Sequence, residues 1–370
     1  MKAGWRVARV GEICTFNYGK ALPESARKGG GTPVFGSNGV VGFHDSSITS
    51  GKTIVIGRKG SFGEVHYSEV PSWPIDTAYF VDEASTEQDI RWLFYRLGCL
   101  GLNKMNKAAA VPGLNREDAY RQEILLPPLP EQRRIAAILD KADALRTKRR
   151  EALAQLDRLA QSIFVEMFGD PATNAKGWPI STLGDLLESA TYGTSEKSGA
   201  SGQFPVLRMN NITRTGEMDF SDLKYMDLDA TERARYLVRA GDILFNRTNS
   251  ADLVGKTAIF RQPEPMAYAG YLIRLRANAD NDPEYLAGFM NTPYAKRVLR
   301  GMCKSIIGMA NINATEVQGI RIARPPLVLQ TRYRERIGSL NHVKASHRTM
   351  LAEQDRLFTS LQHRAFRGDL

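Results

Sequence analysis

The side chains of this 370-residue chain best placed for chemistry are polar and basic ones gathered in glycine-rich turns, and the chemistry they suit is recognition rather than bond making. Ser37 and Asn38 stand in GSNGVVG (36–42), and Arg58, Lys59 and Ser61 in IGRKGSFG (56–63). Turns of this kind bring backbone close to phosphates while side chains reach base edges. Lys104 and Lys107, with Asn106 between them, suit phosphate neutralisation, which gives affinity and salt dependence rather than specificity. In the second half, Arg208, Asn210 and Asn211 follow one candidate strand, and Asn246, Arg247, Thr248 and Asn249 follow another. Arginine pairs bidentately with guanine and asparagine with adenine in the major groove. The plain alternative for each group is a hairpin whose charges are solvated.

Bond-making motifs fail on spacing. Gly51-Lys52-Thr53 and Gly255-Lys256-Thr257 end like a phosphate-binding loop, but Ser46 and Ser250 stand where its first glycine belongs, and a strand follows instead of a helix. Asn291-Thr292-Pro293-Tyr294 is similar to the Asn-Pro-Pro-Tyr signature of adenine amino-methyltransferases, which extrude a base to act on it. It falls in an apparently helical stretch, 285–299, and no glycine-rich turn after a strand offers a cofactor site. The histidines at 44, 66, 342, 347 and 363 are scattered, and Cys14, Cys99 and Cys303 match neither a disulfide framework nor a zinc pattern. No metal and no catalytic residue is expected in this chain.

Short strands must position the turns. Residues 53–57 and 64–67 read as strands joined by the 57–63 turn, 76–81 as a further strand, and 86–97 as a helix burying Ile90, Leu93, Phe94 and Leu97. The second half repeats the order with strands at 204–209, 242–247 and 256–260, then a helix from Asp282-Pro283. Strands followed by helices without regular alternation indicate an α+β domain. Pro112-Gly113-Leu114-Asn115 and Ala310-Asn311-Ile312-Asn313 each read as a turn leading into a short strand, with proximity of Asn115 and Asn313 to DNA as the sharper reading.

Both halves then enter a long helix. Pro127-Pro128 aligns with Pro325-Pro326, Gln132 with Gln330 and Asp157-Arg158-Leu159 with Asp355-Arg356-Leu357, a constant offset of 198 residues. Ile135, Ile138, Leu139, Ala142, Leu145, Ala152, Leu153, Leu156, Leu159, Ala160, Ile163 and Met167 fall at three-and-four spacing along the first copy. Ile337, Leu340, Val343, Met350, Leu351, Leu357, Phe358 and Leu361 repeat the stripe in the second. Glu131 favours the first helix's start, and Gly169 with Pro171 ends it, giving a rod of roughly 55 Å. Gly338 costs the second helix about 1 kcal/mol relative to alanine. The division expected is 1–126, 127–170, 171–324 and 325–370: domain, helix, domain, helix. Antiparallel helices would bury each other's stripes and relate the halves by a pseudo-twofold axis. The domains would then stand of order 50 Å apart, about a turn and a half of B-DNA.

Composition fits a polyanionic partner: Lys and Arg number 50 against 40 Asp and Glu, a formal charge of +10. No signal peptide and no apolar run of transmembrane length is present, so a cytoplasmic, membrane-free protein is expected.

The order variable domain, helix, variable domain, helix resembles the specificity subunit of type I restriction-modification enzymes. PPLPEQRRIAAILDKAD (127–143) is similar to the entry of that family's central spacer helix, and GSNGVVG, IGRKGSFG, PIDTAYFV (74–81) and LVRAGDILFNRTNS (237–250) to segments of its target-recognition domains. The second helix departs from the pattern, with Leu327-Val328-Leu329-Gln330 in place of Leu-Pro-Glu-Gln. The resemblance implies an α+β fold, with two target-recognition domains separated by two long antiparallel coiled-coil helices. It implies a non-catalytic chain that binds double-stranded DNA at a bipartite, asymmetric target, one domain per half-site. It also implies docking of two modification (methyltransferase) subunits on exposed faces of the helices; Lys148-Arg149-Arg150 on the central helix reads as either a solvated face or a contact of that kind. Those partners would bring S-adenosylmethionine, and restriction subunits would bring ATP and Mg, with no cofactor in this chain. Competing readings are a methyltransferase, which would bind S-adenosylmethionine alone, and a coiled-coil scaffold, which would show no sequence preference.

Overall fold

Residues 4–105, 113–250, 253–303 and 310–370 are described by a computed structural model. They form two compact units, one of Met1–Arg150 with Thr349–Leu370 and the other of Glu151–Arg348.

In the first unit, TIVIG forms the inner strand Thr53–Gly57, buried along its whole length. A run rich in β-branched residues suits a strand covered on both faces. It pairs antiparallel with Val65–Ser68 on one side and Ala78–Asp82 on the other, and Asn17–Tyr18 closes the far edge. A smaller sheet joins Gly39–His44, Thr32–Gly36 and Trp73–Pro74, the last pair parallel. Expected boundaries shift, the 64–67 strand by one residue to Val65–Ser68 and two others by more. Asp76 and Thr77 belong to the turn before Ala78–Asp82, where the Thr77 carbonyl accepts the Arg58 amide at 2.8 Å. The helix expected from Thr86 starts at Ile90, because Asp89 caps it by accepting Trp92 N–H at 2.8 Å.

The second unit repeats this plan with almost no sequence in common. Its main sheet runs Leu187–Tyr192, Leu272–Ala277, Ile243–Asn246, Thr257–Ile259, antiparallel throughout, in the same order of edge, partner, inner and outer strand. A parallel pair, Phe204–Leu207 with Met266–Tyr268, again occurs in the smaller sheet, here at its centre. The 204–209 strand is shorter than expected, since Met209–Asn211 turns into a 3-10 helix. The stretch 285–299 is not one helix: Pro283–Met290 stops at Asn291, and Thr292 caps Pro293–Met302.

The turns at Asn115 and Asn313 also differ from expectation. Each asparagine caps a short helix, Arg116–Tyr120 or Ala314–Gln318, before the strand is reached. Their side chains accept Glu117 N–H and Glu316 N–H, both at 2.9 Å, which gives each asparagine a structural role as a helix cap.

The long helices are Leu129–Phe168 and Leu327–Arg367. Forty residues make the first about 60 Å long, slightly more than expected. Within the first unit its early turns, through Ile135, Ala136 and Leu139, join a core that contains Phe358, Ala365 and Phe366 from the end of the other helix. Within the second unit its last turns, through Ile163, Phe164, Met167 and Phe168, join Tyr333, Ile337 and Leu340 from the other's beginning. Start meets end in both units, so the pairing is antiparallel. The expected apolar stripe is too broad: Leu145, Leu159, Val343, Met350 and Leu357 are all exposed. Charged side chains take the seam near those positions. Arg146 lies 4.1 Å from the Phe358 ring centroid and bonds Asp355 at 2.6 Å, and the buried Lys344 bridges Asp157 at 2.5 Å and Glu217 at 2.6 Å.

Candidate nucleic-acid interface

Each main sheet ends its inner strand in an arginine and its edge strand in a tyrosine, and the two meet. In the first unit Arg58 follows Thr53–Gly57, and its guanidinium lies 5.4 Å from the ring centroid of Tyr18 and 5.9 Å from that of Tyr79. Nε and Nη2 both donate to the Asp76 carbonyl, at 3.1 and 2.5 Å. Arg116 approaches the same Tyr18 ring at 5.3 Å. Tyr18 is 55% exposed, so cations flank an aromatic surface open to solvent. Burial, then the neighbouring Tyr18 hydroxyl, raises the pKa of the Tyr79 phenol, which keeps it protonated as a donor.

Ser37, Arg58, Lys59 and Ser61 are brought to one place by glycine. A Cβ on Gly57 would stand 2.1 Å from the Ser61 carbonyl oxygen and 2.8 Å from that of Ser37, so only glycine lets the two turns close on the strand end. His66 fixes the 37–38 turn through Nε2 to the Ser37 carbonyl at 3.3 Å. Asn38 and Lys59 are exposed beside it. Gly63, whose added Cβ would meet Asn103 N at 2.2 Å, packs this loop on the turn that carries the exposed Lys104. Lys107 and Asn106 lie outside the described residues.

In the second unit Arg247 follows Ile243–Asn246 and lies 4.9 Å from the ring centroid of Tyr192, which is 40% exposed. A concavity of about 640 Å³ opens there, lined among others by Lys197, Arg208, Arg247, Thr248, Tyr271 and Asn311. The expected contact residues divide. Arg208 reaches the concavity but is ion-paired to Asp222 at 2.9 Å, and Asn210 donates to the same carboxylate at 2.9 Å. Asn211 and Asn246 are buried and structural, a correction to the sequence reading: Asn211 donates to the Asp219 and Asp222 carbonyls, and Asn246 lies in the core near the Leu253 carbonyl. Asn249 Oδ1 accepts the next residue's amide at 2.9 Å.

Sequence reasoning missed Tyr18, Arg116, Tyr192, Lys197, Tyr271 and Asn311. A signal for two of them was present, since Tyr18-Gly19 and Tyr192-Gly193 recur at an offset of 174 residues. Both glycines are required: an added Cβ would fall 2.1 Å from the Ile75 carbonyl oxygen at Gly19 and 2.3 Å from that of Tyr268 at Gly193.

The motifs set aside on spacing have structural occupations. Lys256 donates to the Met209 and Ile212 carbonyls at 2.6 and 2.5 Å, and burial and then Arg214 lower its pKa. Thr292 caps its helix at Ala295 N–H, and Asn291 donates to the Thr257 carbonyl at 2.9 Å. Among the described residues no group of three or more His, Cys, Asp and Glu could hold a metal ion, and no helix is long and apolar enough to cross a membrane.

Known proteins share this plan. Residues 2–156 match the Type I restriction modification DNA specificity domain. The type I restriction enzyme EcoKI specificity subunit of Escherichia coli (strain K12) is 25% identical over 291 residues, covering 72% of this chain and 62% of the relative. The StySPI specificity subunit of Salmonella potsdam is 24% identical over 299 residues, covering 75% and 63%. The matches thus span less than two thirds of either relative's length. The solved type I restriction-modification S subunit from M. genitalium superposes with a TM-score of 0.60 at 16% identity, covering 98% of this chain and 96% of that one. A chain from a structural study of complex assembly and conformational transition of the type I R-M system gives 0.54 at 18%, covering 100% and 99%. Those two likenesses establish a shared fold, and the sequence matches make the chain similar to type I restriction-modification specificity subunits, with its first 156 residues matching their DNA specificity domain.

Proposed function

We propose that this chain reads double-stranded DNA on behalf of a type I restriction-modification complex, one unit per half-site of a bipartite, asymmetric target. The observation that carries the reading is the paired arginine and exposed tyrosine at the same strand end in both units. A basic side chain against an open aromatic ring suits a nucleotide better than a protein core. The net charge of +10 adds the electrostatic attraction that a polyanion needs. Because the two turns differ in sequence, IGRKGSFG against FNRTNS, the half-sites differ as well.

The chain itself performs no bond chemistry in this reading. Two modification subunits dock on the long helices, where Leu145, Leu159, Val343, Met350 and Leu357 leave apolar side chains open to a partner. They bring S-adenosylmethionine and methylate an adenine in each half-site, and restriction subunits add ATP- and Mg-dependent cleavage of unmethylated DNA. The assembly works in the cytoplasm.

Mapping methylated adenines in cells with and without this gene tests the reading. A two-part asymmetric motif that is methylated only when the gene is present is the expected result. An unchanged methylome beside an active modification subunit overturns it, and so does binding of S-adenosylmethionine by the purified chain alone.

A further inference from the structure

We propose that Arg58 and Arg247 are equivalent specificity-determining residues, each pairing with one guanine, one in each half-site. The assignment rests on the DNA-reading function proposed above and narrows it to one residue per unit. The equivalence is in the backbone. Arg58 N–H donates to the Thr77 carbonyl at 2.8 Å, and its own carbonyl accepts Leu114 N–H at 2.9 Å; Arg247 N–H donates to the Tyr271 carbonyl at 3.0 Å, and its carbonyl accepts Ile312 N–H at 2.9 Å. Each residue is thereby locked between the strand turn on one side and the segment just before the capping asparagine on the other.

The side chains are held but not used up. The Arg247 side chain makes no hydrogen bond or ion pair among the described residues, and its Nε is buried without an acceptor while the side chain lines the open concavity. A cation carrying five donors, desolvated on one side, needs an acceptor from outside the chain. Arg58 spends Nε and one Nη2 proton on the Asp76 carbonyl. That contact uses one edge of the guanidinium and leaves the Nη1–Nη2 edge for a second, bidentate partner. Neighbouring cations are less suited: Asp222 already pairs with Arg208, and Lys59 and Lys104 are exposed single-point charges fit for phosphates. A planar fork fixed against a ring presents two parallel donors, the pattern matched by guanine O6 and N7 in the major groove.

The test is selection of duplexes from a random-sequence double-stranded library by the full-length chain, wild type and variants, with affinity for one unrelated duplex as the control. The wild type is expected to enrich a two-part motif with a guanine in each half. Arg58→Gln should lower the preference for guanine about tenfold to hundredfold at one position of one half, and Arg247→Gln at one position of the other, in each case towards adenine. Arg58→Lys and Arg247→Lys keep the charge and the fold, and should blunt the same positions while unrelated-duplex affinity stays within about threefold. Unchanged motifs in the lysine and glutamine variants overturn the guanine assignment and leave the DNA reading standing. A wild-type chain that enriches no two-part motif overturns that reading, and the assignment falls with it.

Discussion

Asparagine shows at the residue scale how one side-chain chemistry is spent in different ways. Asn115 and Asn313 cap short helices, the buried Asn211 and Asn246 donate to loop carbonyls, and Asn311 faces the open concavity. All carry the donor and acceptor pair that could read adenine, so residue type alone does not separate them. Burial and partner geometry do. Asn313→Ala should therefore cost about 1 kcal/mol of stability, seen as a lowered thermal midpoint, while Asn313→Asp or Asn313→Ser retains most of the cap. The enriched DNA motif should be the same for all three, and a changed motif would return Asn313 to the interface.

At the scale of elements, the joint between each domain and its helix is built around one buried glutamine. Gln132 Oε1 accepts Asp89 N–H at 2.9 Å and its Nε2 donates to the Pro127 carbonyl at 2.9 Å; Gln330 makes the matching bonds to Asp282 N–H and the Pro325 carbonyl, both at 2.8 Å. Each side chain thus ties the long helix's first turn to the capping aspartate of an earlier helix, Ile90–Gly98 in the first unit and Pro283–Met290 in the second. Gln330→Ala would orphan a buried donor and a buried acceptor, so a loss of about 3 kcal/mol is expected in urea unfolding of the full chain. A second joint is ionic. Burial pushes the Glu217 carboxyl up, but hydrogen bonds from Arg348 and Lys344 outweigh it and hold the group below its ordinary 4.5. A depressed carboxylate stabilises the fold above that ordinary value and loses its contribution as pH falls through the folded one. The stability gap between wild type and Glu217→Gln should be full at neutral pH and shrink below about pH 4.5. A gap that widens in acid would show that the carboxylate is not the stabilising form.

For the whole molecule, each unit closes its own core: no residue of the core around Trp92 and Phe366 belongs to the core around Phe164 and Tyr333. Exchange of one recognition domain should then leave the other's reading intact. Replacing residues 1–126 with a different recognition domain is expected to change one half-site in the methylation map and preserve the other. Both long helices run unbroken across the division between units, at Arg150 and at Arg348. On the proposed function their length sets the unread spacer. Inserting one heptad between Lys148 and Leu156, with a matched insertion in the closing helix, should lengthen the spacer and change neither half-site. An altered half-site after such an insertion would contradict a spacer role.

The sequence by itself determined the repeat, the two long helices and the α+β character of the domains, because period and capping are local properties that neighbouring residues fix. It placed Arg58 and Arg247 among thirteen candidates without ranking them. Tertiary structure decided which candidates are spent on the fold, since the partners of Asn211 and Arg208 lie in another loop and no spacing rule reports that distance. It also narrowed the helical stripe, because the period marks every apolar position while packing fills only the face that meets a neighbour, leaving Leu145 and Leu159 in solvent. The pairing of Arg58 with Tyr18 and of Arg247 with Tyr192 belongs to the same class. Each joins residues far apart in the chain through the order of strands in a sheet, and only long-range hydrogen bonding sets that order.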